Sequence, residues 1–154
     1  MKDKAIQDHF SGDYAQCMGC GPEHPDGFHI KTYWDGSRGR YRFRPKPNQT
    51  AFPGVLYGGM IASIMDCHCI GTAIAAAYDR EGRAPDTLPA IMYVTANLNV
   101  TYLAPTPMDG ELELTSEIKE QGERKTVVTC RLCAVGTDKP FARGDVIAVR
   151  AAAK

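Results

Sequence analysis

The sequence predicts an α+β fold in which an antiparallel sheet wraps around one long central helix. Two observations carry this. The 21-residue stretch Gly58 to Tyr78 (GGMIASIMDCHCIGTAIAAAY) holds a single carboxylate and is apolar on every side, the mark of a helix buried all round. From Ala90 onward, polar and apolar residues alternate in four separate stretches, the period of half-buried strands. A sheet folded over the helix is the simplest way to cover it.

The elements follow in order. Residues 1–27 are punctuated by Gly and Pro, end in CMGCGPEHPDG, and are expected to form an irregular lead-in to a single domain spanning 1–154. Phe28 to Trp34 alternates, turns at Asp35-Gly36 and returns through RGRYRFRP as a hairpin. KPNQTAFPGVLY is a loop held extended by its prolines, and the helix follows it. EGRAPDTLP breaks the chain after Arg80. Ala90 to Leu103 reads as a long strand with Val94, Ala96, Leu98, Val100 and Tyr102 on one face. Glu111 to Glu120, Lys125 to Val135 and Phe141 to Arg150 complete a meander of three or four strands.

Composition narrows the function classes. Hydrophobic residues make up 44% and charged residues 23%, as in ordinary globular domains. Eighteen basic residues balance eighteen acidic ones, so no strong field points to nucleic acid or an anionic membrane. The local basic run GSRGRYRFRPKP alternates with Tyr41 and Phe43, as the solvated face of a strand does. Gly58 to Tyr78 is long enough to cross a bilayer, but Asp66, His68, Ser63 and Thr72 make it a poor membrane helix. MKDKAIQDHF has no apolar core of a secretory signal, and six cysteines without one point to reduced thiols in the cytoplasm.

Asp66 is the residue that speaks to chemistry. Burying a lone acid on an apolar helix disfavours its charged form, so such groups are kept for a partner or a task. Free backbone N–H groups are expected at the helix start, at Gly58, Gly59 and Met60, where they can hold an anion. An acid near an oxyanion site suggests acyl transfer. His68 lies about 200° around the helix from Asp66, which argues against a dyad. Cys17, Cys20 and His24 supply only part of a zinc ligand set, and one C-x-x-C pair falls short of a structural site. No metal and no cofactor are expected. Nucleotide-binding glycine motifs are also absent.

Three stretches resemble the hotdog-fold acyl-CoA thioesterases, in particular their PaaI-like branch. FPGVLYGGMIASIMDCHCIGTA resembles the P-G-V-x-H-G-G-x-x-A-x-x-x-D signature at the helix start. TANLNVTYLAPTPMDGEL is similar to the family's long central strand and its exit. CMGCGPEHPDGFHI is similar to the lead-in motif C-x-G-C-G-x-x-N-P-x-G-L. The resemblance implies a hotdog fold that hydrolyses an acyl-CoA thioester, with sites at the interface of a homodimer or a dimer of dimers.

It further implies that Asp66 is the general base or nucleophile and that the Gly59 N–H polarises the thioester carbonyl. Thr95 would help place the attacking water, and Asn48 or Gln49 would be supplied from the loop before the helix. Tyr57 stands where the family has His, and its phenol can donate to the thioester oxygen. Tyr57, Gly58, Met60, Met65 and His68 are the expected substrate contacts. Two rivals remain at this stage: an enoyl-CoA hydratase or dehydratase on the same fold, and a non-catalytic acyl-CoA-binding protein.

Overall fold

A computed structural model describes residues 3–152; Met1, Lys2, Ala153 and Lys154, the ends of the expected domain, lie outside the described residues. The strands are β1 (Tyr33–Trp34), β2 (Arg38–Phe43), β3 (Tyr93–Tyr102), β4 (Leu112–Gln121), β5 (Lys125–Ala134) and β6 (Pro140–Arg150), with one helix, α1 (Gly58–Arg80). They form one antiparallel sheet in the order β1-β2-β4-β5-β6-β3, which curls around α1 and contacts it along every strand.

The 23 residues of α1 span about 34 Å at 1.5 Å per residue. Ile61, Ile64, Met65 and Cys69 are buried on one broad face, Ala62, Ser63, Asp66, Cys67 and Ile70 form a half-buried stripe opposite, and from Gly71 to Tyr78 the helix is buried all round. Small residues let other chain segments approach closely. At Gly71 a β-carbon would collide with the buried Thr32 hydroxyl and the Gln7 amide. The helix ends where Gly82 takes a left-handed φ of 63°, with Arg83 N–H donating to Tyr78 O and Gly82 N–H to Asp79 O. That pair of bonds is a Schellman stop, and it fits the break expected after Arg80.

Two expectations change. Residues 28–32 do not pair as a strand; only Tyr33 and Trp34 do. Phe28 N–H donates to Met18 O, Ile30 N–H to Gly19 O, and Thr32 O accepts from Ile6 N–H, so the lead-in takes these bonds. The lead-in itself contains two short 3-10 turns, Ile6–His9 and Gly12–Gln16.

The second change concerns β3. It does not extend the meander of β4, β5 and β6 but crosses to the far edge and pairs with β6. Its register shifts between Thr95 and Asn97, leaving Ala96 as a bulge. Cross-strand partners share a face. Thr95 sits opposite buried Ala148 and Leu98 opposite buried Val146, whereas Val94 pairs with Val149 on the outer side. The inward face is therefore Tyr93, Thr95, Leu98, Val100 and Tyr102, and Val94 is 57% exposed. The bulge is what turns Thr95 toward the helix.

Candidate active site

Asp66, the ninth residue of α1, is half-buried and lies against the inward face of β3. Thr95 Oγ1 donates a 2.5 Å hydrogen bond to Asp66 Oδ1. Both residues line a cavity of about 370 Å³, whose walls include Phe10, Tyr14, Cys17, Ile70 and Met92. The surroundings are mainly apolar with a few polar groups converging, the usual character of a small-molecule site. A carboxylate whose neighbour is a hydroxyl can accept a water's proton while the hydroxyl oxygen holds that water.

The helix start forms the second part. Tyr57 takes the N-cap position with extended backbone and no side-chain cap. Met60 N–H and Ile61 N–H both donate to Tyr57 O, so Met60 is not free as expected. Gly58 and Gly59 N–H have no acceptor among the described residues. Tyr102 Oη donates to Gly58 O at 2.6 Å and ties β3 to this tip. The exposed Tyr57 ring lies over Gly59, where a β-carbon would sit 2.5 Å from the ring edge. Only glycine lets the ring pack that closely on the helix tip.

The preceding loop contains a 3-10 turn, Pro47–Gln49, held against the helix by Tyr57 N–H donating to Gln49 O. Gln49 Oε1 accepts from Lys46 N–H, so its side chain closes its own turn. Asn48 is exposed and has no hydrogen bond among the described residues. Asp66 lies seven residue steps along the helix from Gly59, about 10 Å along the axis. Within one chain, Asp66 and Thr95 meet, while Gly58, Gly59, Tyr57, Asn48 and Gln49 gather two turns away.

Three expected substrate contacts belong to the core instead. Met65 is fully buried with its sulfur under Gly144, and Met60 is 6% exposed. His68 is fully buried on the other side of α1. Its Nδ1 lies 3.0 Å from Lys31 O and its Nε2 lies 2.9 Å from Ser116 Oγ. Lys31 O can only accept, so Nδ1 carries the proton and Ser116 donates to Nε2. Thr72 Oγ1, 2.6 Å from Ser116 Oγ, extends the network. Burial pushes the imidazole down to about 4, so it stays neutral.

The lead-in contributes more than its sequence suggested. Cys17, Cys20 and Cys67 bring their sulfurs within 4.8 Å of one another at the cavity wall. Cys20, buried between the other two, has its thiol drawn below its ordinary range by the Cys67 and Cys17 hydrogen bonds. The Cys67 thiol is pushed up by its Cys20 partner and by burial. His24 is not part of this group; its Nδ1 accepts from Asp26 N–H. The C-x-x-C spacing was the available signal, but the third thiol follows Asp66 on the helix and only the fold brings it near.

A helix wrapped by an antiparallel sheet, with an acid at mid-helix facing a strand hydroxyl, defines a hotdog-fold protein. The family model of the thioesterase superfamily matches residues 53–141, and the chain belongs to that superfamily. Among solved structures, it is 46% identical to a thioesterase superfamily protein from Shewanella loihica PV-4. That match has a TM-score of 0.64 and covers 81% of this chain and 93% of that one. The conserved protein PA5202 from Pseudomonas aeruginosa is 18% identical with a TM-score of 0.66, covering 94% of this chain and 98% of that one. The protein smu.793 from Streptococcus mutans UA159, solved bound to acetyl CoA, is 13% identical. Its TM-score is 0.62, with 77% of this chain and 84% of that one covered. No curated protein matches the chain.

Proposed function

We propose that the protein is a cytoplasmic acyl-CoA thioesterase of the PaaI-like kind, hydrolysing a CoA thioester to a free acid and CoA. The observation that carries this is the Asp66–Thr95 hydrogen bond at the apolar cavity. In the reaction, Asp66 takes a proton from a water held by Thr95, and the water oxygen bonds to the thioester carbonyl carbon. The carbonyl electrons move onto oxygen, return as the C–S bond breaks, and the CoA sulfur takes the proton back from Asp66. Direct attack by Asp66, giving a mixed anhydride that water then opens, uses the same residues.

The oxyanion needs N–H donors that Asp66's own helix holds about 10 Å away. A second copy supplies them: Gly59 of the partner subunit, with Tyr57 and Asn48 beside it, faces Asp66. The pairing edge is β3, which lies at the sheet margin with Val94 57% and Tyr102 53% exposed. Such an open, partly apolar edge is costly to leave uncovered. Two strands joined there make one continuous sheet and two sites per dimer, and two dimers can assemble into a tetramer. Acetyl CoA bound to the similarly folded S. mutans protein supports a CoA-type substrate.

A hydratase reading would require a histidine beside the acid. His68 is sealed in the core on a different face, which speaks against it. The test is a panel of acyl-CoAs assayed with a free-thiol reagent, alongside a 2-enoyl-CoA followed by its conjugated absorbance. Asp66→Asn is expected to lose at least about 100-fold in kcat while still folding. Full hydrolysis by that variant, or loss of enoyl absorbance without thiol release, overturns the proposal.

A further inference from the structure

We propose that Cys17, Cys20 and Cys67 form a binding site for one soft divalent cation of the zinc class, held by three thiolates. Its fourth position opens on the cavity that contains Asp66. The three sulfurs lie within 4.8 Å of one another, and they come from two distant segments, the lead-in and the middle of α1. A tetrahedral ion with metal–sulfur bonds of about 2.3 Å places its sulfurs about 3.8 Å apart, within reach of small side-chain rotations.

The backbone is shaped around these sulfurs. A β-carbon at Gly19 would collide with Cys67 Sγ, and Cys17 Sγ is 3.9 Å from the same point. At Gly21 a β-carbon would run into Ala15 O and Cys17 N, and Gly21 N–H donates to Cys17 O at 2.8 Å. The two glycines of Cys-Met-Gly-Cys-Gly therefore let the turn close tightly over the third thiol. A disulfide would use two of the three sulfurs and leave the third without a role; a cation uses all of them. Cys17 is exposed and Cys20 buried, which gives the ion an entry side and a sheltered side.

Charge decides what fills the fourth position. Three thiolates and a dication carry a net charge of −1, so a neutral water or ligand atom is favoured there over the Asp66 carboxylate. Asp66 keeps its bond to Thr95. Uptake displaces as many as three thiol protons, so binding weakens as pH falls. The bound ion would pin the lead-in to α1, and with it Phe10, Tyr14 and Gln16, which line the cavity. The site rests on the thiols alone and stands whether or not the protein is a thioesterase.

The test uses the full chain, reduced and free of chelator, titrated with Co2+ alone. The expected result is one equivalent bound per chain, with a thiolate-to-cobalt charge-transfer band and the intense visible bands of tetrahedral coordination, displaced by Zn2+. Cys17→Ser, Cys20→Ser and Cys67→Ser should each weaken binding by at least about tenfold, the lower end of what even supporting-residue losses cost. Cys133→Ser, outside the cluster, should bind normally. Zn2+ should raise the Tm of the wild type and slow proteolysis of the lead-in, but do neither in Cys17→Ser. Because Cys17 is exposed, its serine variant does not threaten folding. Absence of the charge-transfer band, or its retention in Cys17→Ser, overturns the proposal.

Discussion

Lowering the pH below about 6.5 should destabilise the fold through His68, well before the carboxylates titrate. The imidazole is fully buried, neutral, and bonded through both nitrogens to Lys31 O and Ser116 Oγ. Its folded-state value is depressed from 6.5 to about 4 by burial. Between these limits the unfolded chain binds a proton that the folded chain refuses, so stability is full above 6.5 and falls as pH drops toward 4. At about 1.36 kcal/mol per pH unit, the gap is worth about 3 kcal/mol. For a chain of this size that corresponds to a Tm loss of roughly 6–12 °C. His9 is also lowered, mainly by burial, and adds in the same direction, but it is only half-buried and contributes less. Asp8 and Asp35 are both lowered from 3.8, so their contribution is lost only as pH falls below that value. The assay is urea unfolding at several pH values between about 7.5 and 4.5, for wild type and for His68→Gln. The variant should be less stable at neutral pH yet nearly flat across the window. Equal slopes in the two proteins would refute the assignment of the pH dependence to His68.

Other perturbations probe separate parts of the molecule. Gly71→Ala should cost about 1–3 kcal/mol in urea unfolding, because its β-carbon meets Thr32 and Gln7, both fully buried and hydrogen-bonded to each other. Gly82→Ala should cost about 1 kcal/mol by the same measurement, since the helix stop needs a left-handed φ of 63°. Thr95→Val should lower kcat at least about tenfold with little change in Tm, because it removes the hydroxyl beside Asp66 from an exposed position. Val94→Lys puts a charge on the open edge of β3 and should shift the protein to monomer in sedimentation. It should also abolish activity if the Gly59 N–H comes from a second copy.

How much of this was legible in the sequence depended on the range of the interaction. The helix was plain because a long apolar run with one acid has few other readings, and β4, β5 and β6 were plain because their alternation is local. The bulge at Ala96 was not, since no Gly or Pro marks it and the alternation of Val94, Ala96 and Leu98 runs straight through. Residues 28–32 alternate as a strand does, yet their backbone partners come from the lead-in, which has no pattern of its own. The partner of β3 is likewise set by closure of the sheet around the helix, not by the nearest strand in sequence.

The same limit explains which site residues could be foreseen. On a helix with a polar face, that face shows which side chains meet solvent. α1 carries polar residues on two faces, Ser63 and Asp66 on one and His68 and Thr72 on the other, so the sequence does not say which face opens on a cavity and which is sealed. The distinction arises only when the strands arrive: β3 brings Thr95 to Asp66, while β4 brings Ser116 to His68 and β6 brings Gly144 over Met65. Asp66 and His68 are thus each defined by the strand that covers them. It follows that moving the β3 register by one residue would exchange Thr95 for a neighbour and leave Asp66 without its hydroxyl. Inserting one alanine after Ala96 should therefore turn Thr95 to the outer face and abolish the Asp66–Thr95 pair while sparing the His68 network, with activity lost but the acid-dependent slope in stability retained. An insertion variant that kept full hydrolysis would show that the register at the bulge does not position the site.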